Sequence, residues 1–246
     1  MNLLETQGIQ FPTVDAGLRN QAAVVNVHGT TVIAVKFAEG VLNVADRRAT
    51  AGNAIFYEEA EKILKLDDET LIAIAGSYAT ASEAVRFLQH SFKYYARSQL
   101  QEMSLEGKLH EVSRVLGRAL PGALQGIGGF LPIVSAFDRE KSEGRIFFYD
   151  AMGARFESRE FGAAGSGAER IRGAFEYVVR TKSPFRQMKL EEALREALLL
   201  LEIAASLDTA TSGIRRLPSA KMVTAEGVQE VSEDLLRSLQ RALLQE

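Results

Sequence analysis

The sequence has no cysteine anywhere in its 246 residues. Disulfide frameworks, thiol nucleophiles and thiolate-bound zinc are therefore excluded together, and the absence fits a cytoplasmic location. Histidine is scarce as well. His28, His90 and His110 are the only three; no two stand at metal-ligand spacing, and there is no HExxH segment. Long apolar runs are missing too, since the densest, Ala197–Leu201, is bracketed by Glu196 and Glu202 and is far too short to span a bilayer. Neither charge sign dominates: 29 basic and 32 acidic side chains give a formal net charge of −3. That balance argues against a phosphate-tracking surface and hence against nucleic acid as a partner. The first twenty residues lack the basic start and apolar run of a signal peptide.

What is present is the composition of an ordinary globular chain, 46% hydrophobic and 25% charged. It is long enough to bury a substantial core without a metal or disulfide staple. Met1 to about Asn20 has no helix or strand period and carries Gly8, Pro12 and Gly17, so it reads as a leader. Regular pattern starts after Val24. Thr31–Phe37 and Val41–Ala45 form a β-rich pair around Ala38-Glu39-Gly40, and Ile63–Leu66 and Leu71–Ala75 form another around Asp67-Asp68-Glu69. Two amphipathic helices follow, one with Ala81, Val85, Leu88, Phe92 and Tyr95 on one face, the next with Leu105, Leu109, Val112 and Leu116. Pro121 and the glycines Gly122, Gly126, Gly128 and Gly129 interrupt that pattern.

Strands return at Leu131–Phe137 and Arg145–Tyr149, with a third run around Arg155–Phe161. Two more helices start at Ser166 and near Leu190. A hairpin around Glu226-Gly227 and a helix capped by Ser232 close the chain. Strand pairs alternating with helix pairs predict an α+β fold in which two antiparallel sheets lie face to face, each covered by helices, in one domain.

Several catalytic signatures are absent. Ala75 and Ala164 stand where GxSxG needs its first glycine. Gly126-Ile127-Gly128 lacks the closing glycine of a dinucleotide fingerprint, because Leu131 occupies it, and Gly107-Lys108 is followed by Leu109 where a Walker A loop needs a hydroxyl. The polar residues left at strand ends are Thr30-Thr31 after His28-Gly29, Asp46-Arg47-Arg48, Lys62, Ala75-Gly76-Ser77, Gly165-Ser166-Gly167 and Asp208 to Gly213. Singly, each has a plain structural reading. Asp46 caps a turn, Lys62 is an exposed strand lysine, Ser166 heads a capping box with Glu169, and Asp208–Gly213 ends a helix.

Together, in this order, these segments resemble the proteasome β subunits, in their bacterial form. The likeness runs from Thr30 to the C-terminus, and its most specific element is the Gly-Thr junction with Asp46 sixteen and Lys62 thirty-two residues after Thr30. The resemblance implies the four-layer αββα Ntn-hydrolase fold and a threonine-type endopeptidase without a cofactor or metal. It also implies that residues 1–29 are a propeptide removed by self-cleavage between Gly29 and Thr30, leaving 30–246 as the catalytic domain. Thr30 would be the nucleophile, with Asp46 and Lys62 beside it, Gly76 as oxyanion donor, and Ser166, Asp208 and Thr211 around the new amine.

The chemistry is sensible in its own right. A threonine hydroxyl needs a base, and cleavage before Thr30 creates an α-amine whose pKa is roughly 7.7–8. In the uncut chain that nitrogen is an amide, so the precursor is expected to be a zymogen. Ala49, Ile74 and Tyr78 fall where the family binds the side chain before the scissile bond, and being uncharged they predict cleavage after hydrophobic residues. Implied partners are sister β subunits in a heptameric ring, α subunits, an AAA+ unfoldase ATPase and unfolded proteins, with no nucleic acid and no membrane. The alternatives are an HslV-like peptidase and a catalytically silent ring subunit. HslV-like chains normally lack a leader and carry Gly-Asp-Gly where Ala45-Asp46-Arg47 stands here.

Overall fold

A computed structural model describes residues 30–51, 54–126 and 128–245. The first sheet is built from β1 (Thr31–Phe37), β2 (Gly40–Ala45), β10 (Phe161–Gly165), β11 (Ser219–Thr224) and β12 (Gly227–Glu230), in the order β10-β1-β2-β11-β12. The second contains β5 (Ile63–Asp67), β6 (Thr70–Gly76), β7 (Phe130–Asp138), β8 (Glu143–Tyr149) and β9 (Arg155–Ser158), in sequence order. Every pairing is antiparallel. Alternation along the strands sorts side chains into three cores. In β1, Ile33, Val35 and Phe37 face a helical layer, while Val32 and Ala34 face the other sheet. In β6, Leu71, Ala73 and Ala75 meet that same inter-sheet core, and Ile72 and Ile74 turn to the opposite helices.

Those helices are α1 (Tyr78–Gln99) and α2 (Leu105–Leu124), which cover the second sheet with Ala81, Val85, Leu88, Phe92, Leu109, Val112 and Leu116. The first sheet is covered by α3 (Ala168–Thr181), α4 (Leu190–Leu207) and α5 (Glu233–Gln245). Because α4 also contacts α3 and α5, it buries more than one face, including Leu194, Leu198, Leu200 and Leu201. The result is the four-layer α+β sandwich expected from the strand and helix order. No helix among the described residues is long and apolar enough to cross a membrane.

Four details depart from the sequence reading. The run around Arg155–Phe161 is two strands, not one. β9 ends the second sheet and β10 edges the first, so the chain changes sheets at Arg159-Glu160. Pro121 lies inside α2, in its last turn, where it removes one intrahelical N–H bond shortly before the helix ends. A short hairpin, β3 (Ala49–Ala51) and β4 (Ala54–Tyr57), stands apart from both sheets, and Ile55, Phe56 and Tyr57 are all exposed on it. Tyr95 is half-buried and outside the core of α1. The expected leader, Met1–Gly29, lies outside the described residues.

Candidate active site

β1 is an inner strand, held by β2 on one side and β10 on the other, and the residue just before it is held from the β10 side. That residue is Thr30, only 4% exposed. Its carbonyl accepts the Ser166 N–H at 3.0 Å. The opposing Gly165 has φ +105°, and a Cβ there would fall 1.7 Å from the Thr30 carbonyl oxygen. A side chain at Gly167 would lie 2.3 Å from Thr31 Oγ1. Contacts on both flanks thus explain why only the middle position of Gly165-Ser166-Gly167 carries a side chain.

Asp46 follows β2 directly and is fully buried. Its Oδ1 accepts the Thr31 N–H at 3.0 Å and Lys62 Nζ at 2.8 Å. Oδ2 accepts the Arg48 N–H at 3.1 Å and both the N–H and the hydroxyl of Ser212 at 3.2 and 3.3 Å. Lys62 precedes β5 and is buried rather than exposed. Burial is the largest influence on its ammonium and pulls its pKa below the ordinary lysine value. Asp46 opposes that shift by charge and hydrogen bond, Arg48 adds to it, and Asp208 opposes it weakly. The outcome is a dry cation held next to the first residues of β1, with its proton bound less tightly than usual.

A second network lies on the other side of Thr31. Asp208 ends α4, and its Oδ2 accepts hydroxyl hydrogen bonds from Ser166 at 2.5 Å and Thr211 at 2.8 Å, while Oδ1 accepts the Ala210 N–H at 3.2 Å. Burial works against its ionisation, but these bonds and the charge of Arg170 outweigh it and hold its pKa below the usual carboxylate value. Thr211 Oγ1 also lies 2.7 Å from Thr31 Oγ1. The single Thr211 hydroxyl hydrogen goes to Asp208, so Thr31 must be the donor to Thr211. Ser166 does not cap α3: the cap position belongs to Gly167 and makes no side-chain bond. Its hydroxyl is committed to Asp208 instead.

Gly76 closes β6 with φ +109°, and a Cβ there would meet the Gly129 carbonyl oxygen at 2.6 Å. With Gly165 and Ser166 it lines a cavity of about 400 Å³ whose other walls include Leu116, Phe130 and Leu131. Ala49, Ile74 and Tyr78 lie on different elements and differ in burial. Ala49 is half-buried on β3 and Tyr78 starts α1 with its ring partly exposed. Ile74 packs beneath α1 and α2. His90 and His110 are exposed on α1 and α2, and no group of metal-ligating side chains occurs among the described residues. Gly29 and His28 lie outside the described residues.

Thr30, Asp46, Lys62, Ser166, Asp208 and Thr211 therefore gather at one end of the sandwich, linked by the bonds described, with Gly76 on the cavity that Ser166 lines. Sequence reasoning missed Thr31 and Ser212 as direct partners of this network. The Ser212–Asp46 contact spans 166 positions, and no local spacing announces it.

Residues 26–215 match the family described as proteasome subunit. A proteasome subunit beta 2 from Thermomonospora curvata is 35% identical over 221 residues, covering 88% of this chain and 77% of the relative. A proteasome subunit beta from Jonesia denitrificans is 37% identical over 210 residues, 84% of this chain and 68% of the relative. One from Acidothermus cellulolyticus is 35% identical over 215 residues, 84% and 72% respectively.

Proposed function

The chain belongs to the proteasome family as a β-type subunit, and from that premise we propose that it is a threonine-type endopeptidase that activates itself by cutting Gly29–Thr30. The observation that carries this reading is the double engagement of Asp46, whose one carboxylate oxygen binds both the Thr31 N–H and the Lys62 ammonium. That arrangement puts a buried positive charge beside the head of β1, where a threonine oxygen would have to become negative.

In maturation, Thr30 Oγ attacks the Gly29 carbonyl carbon; as the ester forms the Gly29–Thr30 C–N bond breaks and the proton lost by Oγ is delivered to the departing nitrogen, and water then hydrolyses the ester. Gly29, lacking Cβ, permits the tight approach. The product has a free α-amine on Thr30 and an intact hydroxyl. In peptide hydrolysis that amine takes the Oγ proton, directly or through water, while Oγ attacks the scissile carbonyl. The Gly76 N–H supports the resulting oxyanion, and Lys62 lowers the cost of charge on Oγ. The amine then returns its proton to the leaving amine, and water releases the acyl group. Asp208, with the hydroxyls of Ser166 and Thr211, orients and tunes the proton on the amine.

The proposal extends to residues 1–29 as propeptide and 30–246 as catalytic domain. Family membership implies assembly into rings with other proteasome subunits. The finer reading is a heptameric β ring beside α rings in the cytoplasm, fed with unfolded proteins by an AAA+ ATPase and cutting after hydrophobic residues at a site that includes Ala49, Ile74 and Tyr78. Intact mass after co-production with the α partner tests the core of it. The wild-type chain should lose Met1–Gly29 and Thr30→Ala should retain it; a full-length wild-type chain in an assembled particle refutes self-processing.

A further inference from the structure

In the β3–β4 hairpin Thr50 of β3 is buried, but β4 is exposed along its whole length. Ile55, Phe56 and Tyr57 are 53%, 81% and 54% exposed, and an isolated two-stranded hairpin is marginal in water. What anchors it lies at its base, where Glu58 follows β4. Glu58 Oε1 accepts from Arg48 Nη2 at 3.3 Å, and Oε2 pairs with Arg216. The neighbouring Glu59 makes only looser contacts, 3.5 Å to Arg216 and 3.8 Å to Arg47. The Ala60 N–H adds a backbone bond to the Arg47 carbonyl at 3.0 Å.

Both arginines lead to the loop that carries Asp208. Arg48 Nη1 donates to the Thr209 carbonyl at 3.1 Å, one residue past Asp208. Arg216 lies just beyond the other end of the same loop, after Ser212 and Gly213. Arg48 is also tied to the buried centre, because its N–H donates to Asp46. One carboxylate thus grips the Asp208–Arg216 loop at both ends. The Arg48 and Glu58 side chains are only 21% and 24% exposed, and Arg48 Nε has no partner among the described residues. Without the Glu58 charge, the guanidinium is left partly desolvated and poorly compensated. Turning toward water relieves that cost and releases Thr209.

We propose that Glu58 is a positioning residue. Through Arg48 and Arg216 it holds the Asp208–Arg216 loop against Asp46 and makes hairpin and loop a single unit. The idea rests on the proposed peptidase reading for its kinetic consequence but not for its structural one, so the test has two arms, both on the full chain in its assembled particle.

In hydrogen exchange, Glu58→Gln should speed exchange about fivefold or more in peptides covering 208–216 as well as 54–59, while Glu59→Gln leaves both unchanged. In hydrolysis of a short fluorogenic peptide, Glu58→Gln should lower kcat about tenfold with KM within twofold, and Glu58→Asp, which keeps the charge, should recover most of the loss. Faster exchange confined to 54–59, or a raised KM at unchanged kcat, overturns the proposal. A wild-type particle without Thr30-dependent hydrolysis defeats the peptidase reading instead, and the exchange arm still decides the role of Glu58.

Discussion

Lys62 and Arg145 are both buried cations paired with carboxylates, and they are built for opposite purposes. Arg145, on β8, binds Asp138 at 3.0 Å and grips both oxygens of Glu157, at 2.9 and 2.6 Å. The forked geometry, led by the Glu157 bonds, raises its pKa beyond its already high value, so its charge is permanent. Lys62 meets a single carboxylate and is dominated by burial, which pulls its pKa down. Its partner is shared with three backbone N–H groups and a hydroxyl. The arginine cluster fixes β8 to β9 and to the β7–β8 turn; the lysine site keeps a cation whose proton is only moderately secure. A permanent charge suits a joint, and a sensitive one suits chemistry.

The sharpest way to break that contrast is to remove each cation by a side chain of similar length. Lys62→Met should reduce peptide hydrolysis by about 10³-fold or more, with a stability loss as well because the buried Asp46 charge is left without its cation. Arg145→Met should leave hydrolysis within about threefold yet lower stability by about 2 kcal/mol, solvent screening at the more exposed Glu157 having been allowed for. Peptide kinetics and denaturant midpoints on the two variants check this, and matching losses of activity would erase the distinction.

A smaller effect is expected at Asp208. Asp208→Asn keeps the shape but loses the charge that two hydroxyls and Arg170 support, and kcat should fall about 10- to 100-fold, measured on the same peptide.

The two clusters should also fail at opposite ends of the pH scale. Burial favours neutral Lys62, so its proton leaves at a lower pH than from an exposed lysine. The alkaline limb of kcat/KM should therefore fall below 10.5, and a limb at or above that value contradicts the role given to burial. Asp138 and Glu157 have lowered pKa values, against burial in the first case and chiefly through Arg145 in the second. Their stabilisation is present above the ordinary carboxylate range and is lost as pH falls through the lowered values. Acid unfolding of Arg145→Met should accordingly show a shallower pH dependence than that of the wild type.

The smallest change is Thr211→Ser, which keeps the hydroxyl between Thr31 and Asp208 and should alter kcat by less than about threefold.

Much of this is legible in the sequence because β1, β2 and β6 are buried on both faces and read as near-continuous apolar runs. The helices α1 and α2 carry their buried residues three or four apart. The gathering of Thr30, Asp46 and Lys62 is implied by the family resemblance: Thr30 and Asp46 flank the paired strands β1 and β2, but Lys62 precedes β5 of the other sheet, and no strand neighbourhood in the sequence announces it. Less legible was anything decided by distant packing. The split of Arg155–Phe161 between two sheets leaves no local mark, since the polar break at Arg159-Glu160 looks like ordinary strand polarity. The β3–β4 hairpin leaves no mark in the sequence because β4 is exposed along its whole length and Thr50 is the one buried side chain described on β3, so no alternation betrays it. The capping box at Ser166 is a sound local pattern that the fold does not use: Gly167 takes the cap position and the Ser166 hydroxyl donates to Asp208, forty-two positions away.

The grip of β10 on the head of β1 has one more consequence. Chain termini ordinarily fray, and the first few residues of a domain are usually its least ordered. If the Gly29–Thr30 bond is cut as proposed, Thr30 becomes a terminus at that moment, yet Ser166 still holds its carbonyl and strands flank β1 on both sides. The new end would be born already in place. The amine released by the cut would then have almost no conformational freedom to surrender before acting as a base, and the order that ends usually lack would be supplied by a strand about 130 residues further along the chain.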